Sequence, residues 1–429
     1  MGNHAYAQQQ FLEFPISNNT IRYDLYPIDG AGFFVTKYEA IDKSREVVKN
    51  VFYYDQDFNL KHEFSIQVDG RFQVLRKWES DNGNAYLLYQ RAASELFLMQ
   101  LKPSGDYKTF EIPLVESMRI QHFHVMGDKA LIGGAFDFMH TFFLFNFKEE
   151  RLIALEGVYQ PKIRLVQSKV DKEDRVITIV TADSYSNGKS TFMIRNFDFE
   201  GQLLRSVPLK PPGIPDLNSA SVTNFQNGEQ FVVGTYTDFG LEGSTGVYLA
   251  KILADGSQRF NLIPYFKLDG YYDHLPEREA ARKLERANRR FLNKGGWSTS
   301  AELILNTPHL AGDRIHTMTS QGYYYQVIFN TELQLQSGIY NPDFRARRYW
   351  TKEDEFMTLG WDKQLQISKT SAQGVDFYTQ SLQLKEFGDG SEDIYISLLQ
   401  HWYSNNILLG YSFKRNGQKY FAITSQSID

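Results

Sequence analysis

Residues 246–266, GVYLAKILADGSQRFNLIPYF, set the pattern that the chain repeats. In an extended strand Val247, Leu249 and Lys251 point one way, and Tyr248, Ala250 and Ile252 point the other. Ala254-Asp255-Gly256 then reverses the chain, because Asp and Gly tolerate the positive φ that a tight hairpin needs. Residues 259–264 return. The same hairpin recurs as LFLMQLKPSGDYKTFEIPL (96–114), STFMIRNFDFEGQLLRSVPL (190–209) and VFYYDQDFNLKHEFSIQV (51–68).

One strand-turn-strand unit recurring along a chain predicts a repeat architecture, and a unit made of strands predicts a β-propeller. The fold class expected is all-β: a single propeller of about seven four-stranded blades, with six or eight as the alternatives, each of roughly 50 residues, with one helical insertion. Blades fall at 20–68, 70–115, 118–156, 162–209 and 217–266, then after a break at 301–370 and 381–425. Residues 11–16, FLEFPI, match the returning strand of the unit (FEIPL at 110–114, NLIPY at 261–265) but have no strand before them. A propeller removes its open edge by letting one terminal strand complete the blade at the other end. Pairing of 11–16 with 419–425 is therefore expected.

Asp81-Asn82-Gly83-Asn84 reads as a turn, and Asn416-Gly417 as a strong hairpin signal. Gly133-Gly134 sits in an apolar strand and reads as a place where backbone packs closely. The repeat breaks at 271–296, where DHLPEREAARKLERANRRFLNK (273–294) is a helix. Pro276 suits its first turn, Glu277 and Glu279 its positive end, and Gly295-Gly296 its stop. Between 277 and 294 it carries seven basic and three acidic residues, with a thin apolar stripe of Leu275, Ala280, Leu284, Ala287 and Phe291. A helix of this kind lies on its scaffold by the stripe and shows a basic face to solvent. A second interruption, 327–354, reads as a loop insertion carrying NPDFRARRYW.

Composition narrows the function classes. Aromatic residues make up 15% of the chain, led by 33 Phe and 26 Tyr, which favours strands and a large core over disorder. A net charge of −5 argues against a general nucleic-acid binder. No apolar run is long enough to span a bilayer. The absence of cysteine excludes disulfides and thiolate metal sites. Ala5-Tyr6-Ala7 before Gln8-Gln9-Gln10 has the small-x-small form of a cleavage-site tail. Residues 1–10 thus read as a signal-peptide remnant or a disordered tail, 11–429 as one domain, and the protein as periplasmic or extracellular.

In its hairpins, such as STGVYLAKILADG (244–256), FMIRNFDFEGQLL (193–204) and FMTLGWDKQLQ (356–366), the chain resembles uncharacterised exported propeller-like proteins of Bacteroidota. The resemblance implies a propeller-like fold and export. It brings no catalytic residue and no cofactor, and it does not extend to the helix.

Several constellations could carry chemistry. His122 and His124, two apart on a strand, can face one side, with His140 and Asp137 on a neighbouring stretch; imidazoles with a carboxylate suit a transition metal. The alternative is a pair of histidines hydrogen-bonded beside the sheet. Asp137 with Asp183, or Asp238 with Glu242, are carboxylate pairs of the sort a glycosidase needs, and nothing in the spacing singles out either. No nucleophile elbow, phosphate loop or dinucleotide fingerprint occurs in a suitable context. The stronger candidates are an interaction surface: Arg282, Arg286, Arg289 and Arg290 on the helix, and Arg345, Arg347, Arg348, Tyr349 and Trp350 in the second interruption. Arg and aromatic residues concentrate interface energy. The functional expectation is a non-enzymatic scaffold of the cell envelope that holds a protein partner. The alternative is a carbohydrate-binding or carbohydrate-active propeller, with Tyr323, Tyr324, Trp350 and Trp402 stacking on sugar.

Overall fold

A computed structural model of the chain describes residues 11–17, 20–28, 30–39, 46–69, 75–90, 94–114, 118–136, 139–158, 163–184, 190–213, 216–238, 243–294, 303–319, 324–344, 346–352, 355–361, 364–371, 374–381, 395–401 and 406–427. They form eight antiparallel sheets: 21–69, 75–113, 119–154, 163–208, 216–264, 309–341, 346–381, and 395–427 joined by Phe11–Ile16. These are called the first to eighth sheets in that order. Six follow their strands in sequence order as up-and-down meanders; in the fifth two short strands both pair with Gln230–Thr237, and in the eighth the first strand of the chain lies beside the last; the fold is a β-propeller with one helical insertion. The chain divides into two compact units, one of residues 1–155 with 383–429 and one of 156–382.

Within each unit, consecutive sheets pack face to face. In the first, Val51 and Ile66 meet Leu87 and Met99, and Leu88 and Leu98 meet Ile120 and Val125. In the second, Ile194 meets Val232, and Leu249 meets Val327. The middle strands of a sheet are therefore covered on both sides. Gln230–Thr237 is buried over its first seven residues, and Tyr324–Asn330 over its first six. The outer strand Leu60–Asp69 buries only Ile66 and Val68. That difference is why the third strand of each hairpin reads as continuously apolar and the fourth as alternating.

One turn geometry closes the hairpin between third and fourth strands in five sheets. The amides of Phe58, Gly105, Gly201, Gly256 and Leu333 donate to the carbonyls of Asp55, Lys102, Asp198, Leu253 and Asn330, at 2.9–3.1 Å. The fourth residue of each turn has positive φ, between 63° and 88°. This is a type I turn followed by a left-handed residue, a bulge that matches strand twist. Side chains lock several copies: Asp198 Oδ1 accepts from the amides of Glu200 (2.9 Å) and Gln202 (2.8 Å), and Asp55 Oδ1 from those of Asp57 (3.0 Å) and Asn59 (2.9 Å).

The expected closure of the eighth sheet is present. Phe11–Ile16 pairs antiparallel with the last strand, from Phe11 opposite Thr424 to Ile16 opposite Lys419. Asn82-Gly83 and Asn416-Gly417 are tight turns with positive φ throughout. Gly133 and Gly134 lie where an added Cβ would stand 2.2 Å from the Phe142 ring and 2.3 Å from the Arg119 carbonyl.

Residues 327–354 are not a loop insertion. They supply strands to two sheets: Tyr324–Asn330 and Leu335–Asn341 belong to the sixth, and Ala346–Lys352 opens the seventh. The count of sheets is accordingly eight among the described residues, where about seven were expected. The hairpin 324–341 was hidden because its left-handed position holds Leu333 (φ 67°) instead of glycine. The α-helix Glu277–Lys294, α1, stands between the fifth and sixth sheets in sequence, as expected.

Candidate functional site

α1 is held to the second unit by a narrow contact. Ala287 is its one fully buried residue among those described. Phe291 packs edge-on against Phe266, centroids 5.4 Å apart, and Lys267 Nζ lies 5.5 Å from the Phe291 ring. The platform beneath, residues 265–273, is itself firmly placed. Tyr265 stacks on Tyr271 at 5.1 Å and shares a 2.8 Å hydrogen bond with Ser244, and the Tyr325 hydroxyl donates to the Asp269 carbonyl at 2.8 Å. Between helix and platform runs a groove of about 520 Å³, lined by the apolar Phe266, Leu268, Tyr271, Tyr272, Leu275 and Leu284 and by the charged Lys267, Asp269, Asp273 and Glu277. Leu292, 80% exposed, projects beyond it.

The charge on α1 is sorted. Lys283 pairs with Glu279 (3.3 Å) and Arg289 with Glu285 (3.0 Å), both one helical turn apart. Arg278, Arg282, Arg286 and Arg290 follow one another at four-residue spacing, are exposed, and form no ion pair among the described residues. At four residues per step the ridge turns by about 40° each time and rises by about 6 Å. Four guanidinium groups thus line one flank of the helix over about 18 Å. Arg278 belongs to this ridge and was not singled out from sequence. Arg289 was, and is instead engaged in an ion pair.

A second feature of the same unit is a polar cleft of about 310 Å³, built where the first strands of the fourth, fifth and sixth sheets end. Lys169 and Asp171 come from the fourth sheet, Asn224, Phe225 and Gln226 from the fifth, and His309 from the sixth. Lys169 is half-buried along the wall, and loss of solvent lowers its ammonium to about 8, against an opposing pull from Asp171. Burial, then the charge of Lys169, holds His309 down to about 4, so its imidazole is neutral at pH 7. Asp171 Oδ1 accepts from the amides of Glu173 (3.1 Å) and Asp174 (3.2 Å), which fixes the carboxylate. Arg205 lies 4.7 Å from the Phe225 ring.

The remaining candidates separate. His124 Nδ1 lies 2.9 Å from Glu79 Oε1, and burial lowers His122 to about 4 with help from His124, Lys77 and His140. Among the described residues no three histidine or carboxylate side chains form a group that could hold a metal ion. Asp183 is engaged by Arg195 (3.3 Å) and Thr181 (2.8 Å); Asp137 and Glu242 lie outside the described residues. Arg347, Arg348, Tyr349 and Trp350 lie on the strand Ala346–Lys352, paired with Glu355–Trp361, while their side chains and all of Arg345 lie outside the described residues. Tyr324 is not free to stack on sugar: it is 1% exposed, with its hydroxyl on Gln326 and Ser368. Tyr323 and Trp402 lie outside the described residues.

No protein-family model matches the chain, and no curated protein does. Solved structures similar to it include one from a study of two prolyl endopeptidases, with a TM-score of 0.45 and 10% identity; that likeness covers 92% of this chain and 53% of the other, so the chain spans about half its length. The β-propeller domain of the Trilobed protease from Pyrococcus furiosus gives 0.44 and 9% identity over 83% of this chain and 95% of that one. The Dos1 propeller gives 0.43 and 12% over 82% and 77%. The fold assignment rests on the strand order of the chain's own sheets. No helix among the described residues is long and apolar enough to cross a membrane.

Proposed function

We propose that the protein is an exported propeller that acts by binding, with 11–429 as one domain, and that α1 docks an acidic surface of a protein partner at the cell envelope. The observation that carries this is the arginine ridge. Four cations at fixed spacing on a helix that buries one residue are not needed to hold the helix in place. Unpaired like charges on one flank repel one another, and an acidic partner relieves that repulsion and steers association. The apolar side chains of the groove, with the exposed Leu292, supply the desolvated contact that charge alone lacks. Export and an envelope location rest on the cleavage-like Ala5-Tyr6-Ala7 segment and on the resemblance to exported propeller-like proteins. A protein surface is preferred to a lipid surface because Glu277, Glu279 and Glu285 interrupt the basic face.

A photo-crosslinking residue at position 292 tests the reading in cells that make the protein. One discrete adduct is expected, and Arg282→Glu with Arg286→Glu and Arg290→Glu should abolish it while leaving the melting temperature within a few degrees. Vesicles of phosphatidylglycerol should not co-sediment with the protein. An adduct that persists in the triple variant, or vesicle binding that the variant removes, would sink the proposal.

A further inference from the structure

The cleft at the ends of the fourth, fifth and sixth sheets shares no residue with the α1 surface, and its chemistry points to a different ligand. We propose that it binds a neutral saccharide. Its lining sets donors and acceptors side by side. Lys169 only donates, the carboxylates of Asp171, Glu173 and Asp174 only accept, and the amides of Asn224 and Gln226 do both. Sugar hydroxyls donate and accept at once, so a ring carrying several of them satisfies both kinds together. A volume of about 310 Å³ suits a small ligand.

The charge balance narrows the class. One ammonium against three carboxylates disfavours an anion such as a uronate or a phosphate ester. The Lys169 ammonium opposes a compact cation, and among the described residues no three of the carboxylates and imidazoles come together to hold a metal ion. Lys169 matters most, because among the described residues it makes neither hydrogen bond nor ion pair. A half-buried ammonium keeps only part of its hydration, and a ligand hydroxyl or ring oxygen adds an acceptor beside the Asp171 charge. Asp171, two residues along the same strand, is already fixed by two backbone amides, so this acceptor is in place before any ligand arrives. Three sheets each contribute one strand end, which makes the site a product of the stacked fold and not of a local motif.

Saturation-transfer NMR on the full chain with three free probes, methyl glucoside, N-acetylglucosamine and glucuronate, is the test. Transfer to at least one neutral sugar is expected, with glucuronate weaker. Lys169→Met should lower affinity about tenfold, the worth of a charged hydrogen bond. Because a buried lysine can also matter for folding, the paired Asn224→Ala and Gln226→Ala variant, on an exposed turn, should give a comparable loss with unchanged melting. The α1 triple variant should keep sugar binding in full, so failure of the docking proposal leaves this one standing, and the reverse. No transfer from either neutral sugar, transfer that survives both sets of substitutions, or glucuronate binding tighter than the neutral sugars overturns it.

Discussion

Acidification from pH 6.5 to about 4 is expected to remove several kcal/mol of stability, most of it above the ordinary carboxylate range, because the fold buries neutral imidazoles. His316 is the main contributor. It is 0% exposed, stacks on Phe356 with centroids 4.8 Å apart, and accepts a 2.9 Å hydrogen bond from the Gln326 amide on Nδ1, so its proton sits on Nε2. That Nε2 is buried with no partner among the described residues. Burial, then repulsion from Arg314 and His309, holds His316 down to about 3, and His309 and His122 lie at about 4. In the unfolded chain all three protonate near the ordinary 6.5. Between that value and their folded values the unfolded state binds more protons, so stability falls as pH falls. For His316 alone the effect is on the order of 3 kcal/mol; His309 and His122 are half-buried and contribute less each. Asp24 and Asp238, raised by burial, work the other way, while Asp55, Asp128 and Asp255, held low by their hydrogen bonds, act only below the ordinary carboxylate range. The window down to pH 4 therefore belongs chiefly to the imidazoles. Urea unfolding at pH 7 and pH 4.5 measures it. His316→Asn keeps an acceptor for Gln326 and cannot titrate, so it should flatten the dependence while costing about 1–3 kcal/mol at pH 7 through lost stacking. A wild-type stability that changes by less than about 1 kcal/mol over this range would contradict the assignment.

Strands were legible because each carries its own alternation, and hairpins were legible where Gly105, Gly201 and Gly256 mark the left-handed position. Phe58 takes the same conformation in a hairpin still recognised from its flanks. Leu333 takes it where the flanking strand Tyr324–Asn330 is buried on both faces, and there the hairpin was read as an insertion. Arg282, Arg286 and Arg290 were visible as charge at helical spacing. Which arginine is already paired depends on side-chain reach that spacing does not encode, so Arg289 was included and Arg278 passed over. The cleft left no trace at all. Lys169, Asn224 and His309 each look like an ordinary polar residue at a strand end, and only the stacking of three sheets brings them together.

Removal of residues 1–16 is expected to unfold or aggregate the protein at 37 °C. Those residues include the outer strand of a sheet whose other three strands lie at the opposite end of the chain. Without it the strand Gln418–Ser427 becomes an open edge bearing Phe421 and Ile423, the kind of template that pairs with other chains. Packing is lost too. The Phe14 ring lies 5.3 Å from Tyr23, 6.3 Å from Tyr54 and 6.4 Å from both Phe52 and Phe421, and Leu12 and Ile16 join the same cluster. The Glu13–Arg415 ion pair and the 2.6 Å hydrogen bond from Gln418 Nε2 to the Ile16 carbonyl go with them. Three half-buried apolar side chains and a six-residue ladder amount to about 5 kcal/mol, a large part of what a typical domain has. Phe14→Ala alone should cost about 3 kcal/mol. Register supplies a rescue. Phe11 lies opposite Thr424 and the two strands are antiparallel, so FLEFPI joined after Ser427 through an Asp-Gly turn and three spacer residues, which stand opposite residues 425–427, re-forms the same pairing as a continuous hairpin like those of the other sheets. That permuted chain should regain most of the lost stability in urea unfolding. A truncated chain as stable as the whole one, or a permuted chain no better than the truncated one, would mean that the first strand does not close the fold.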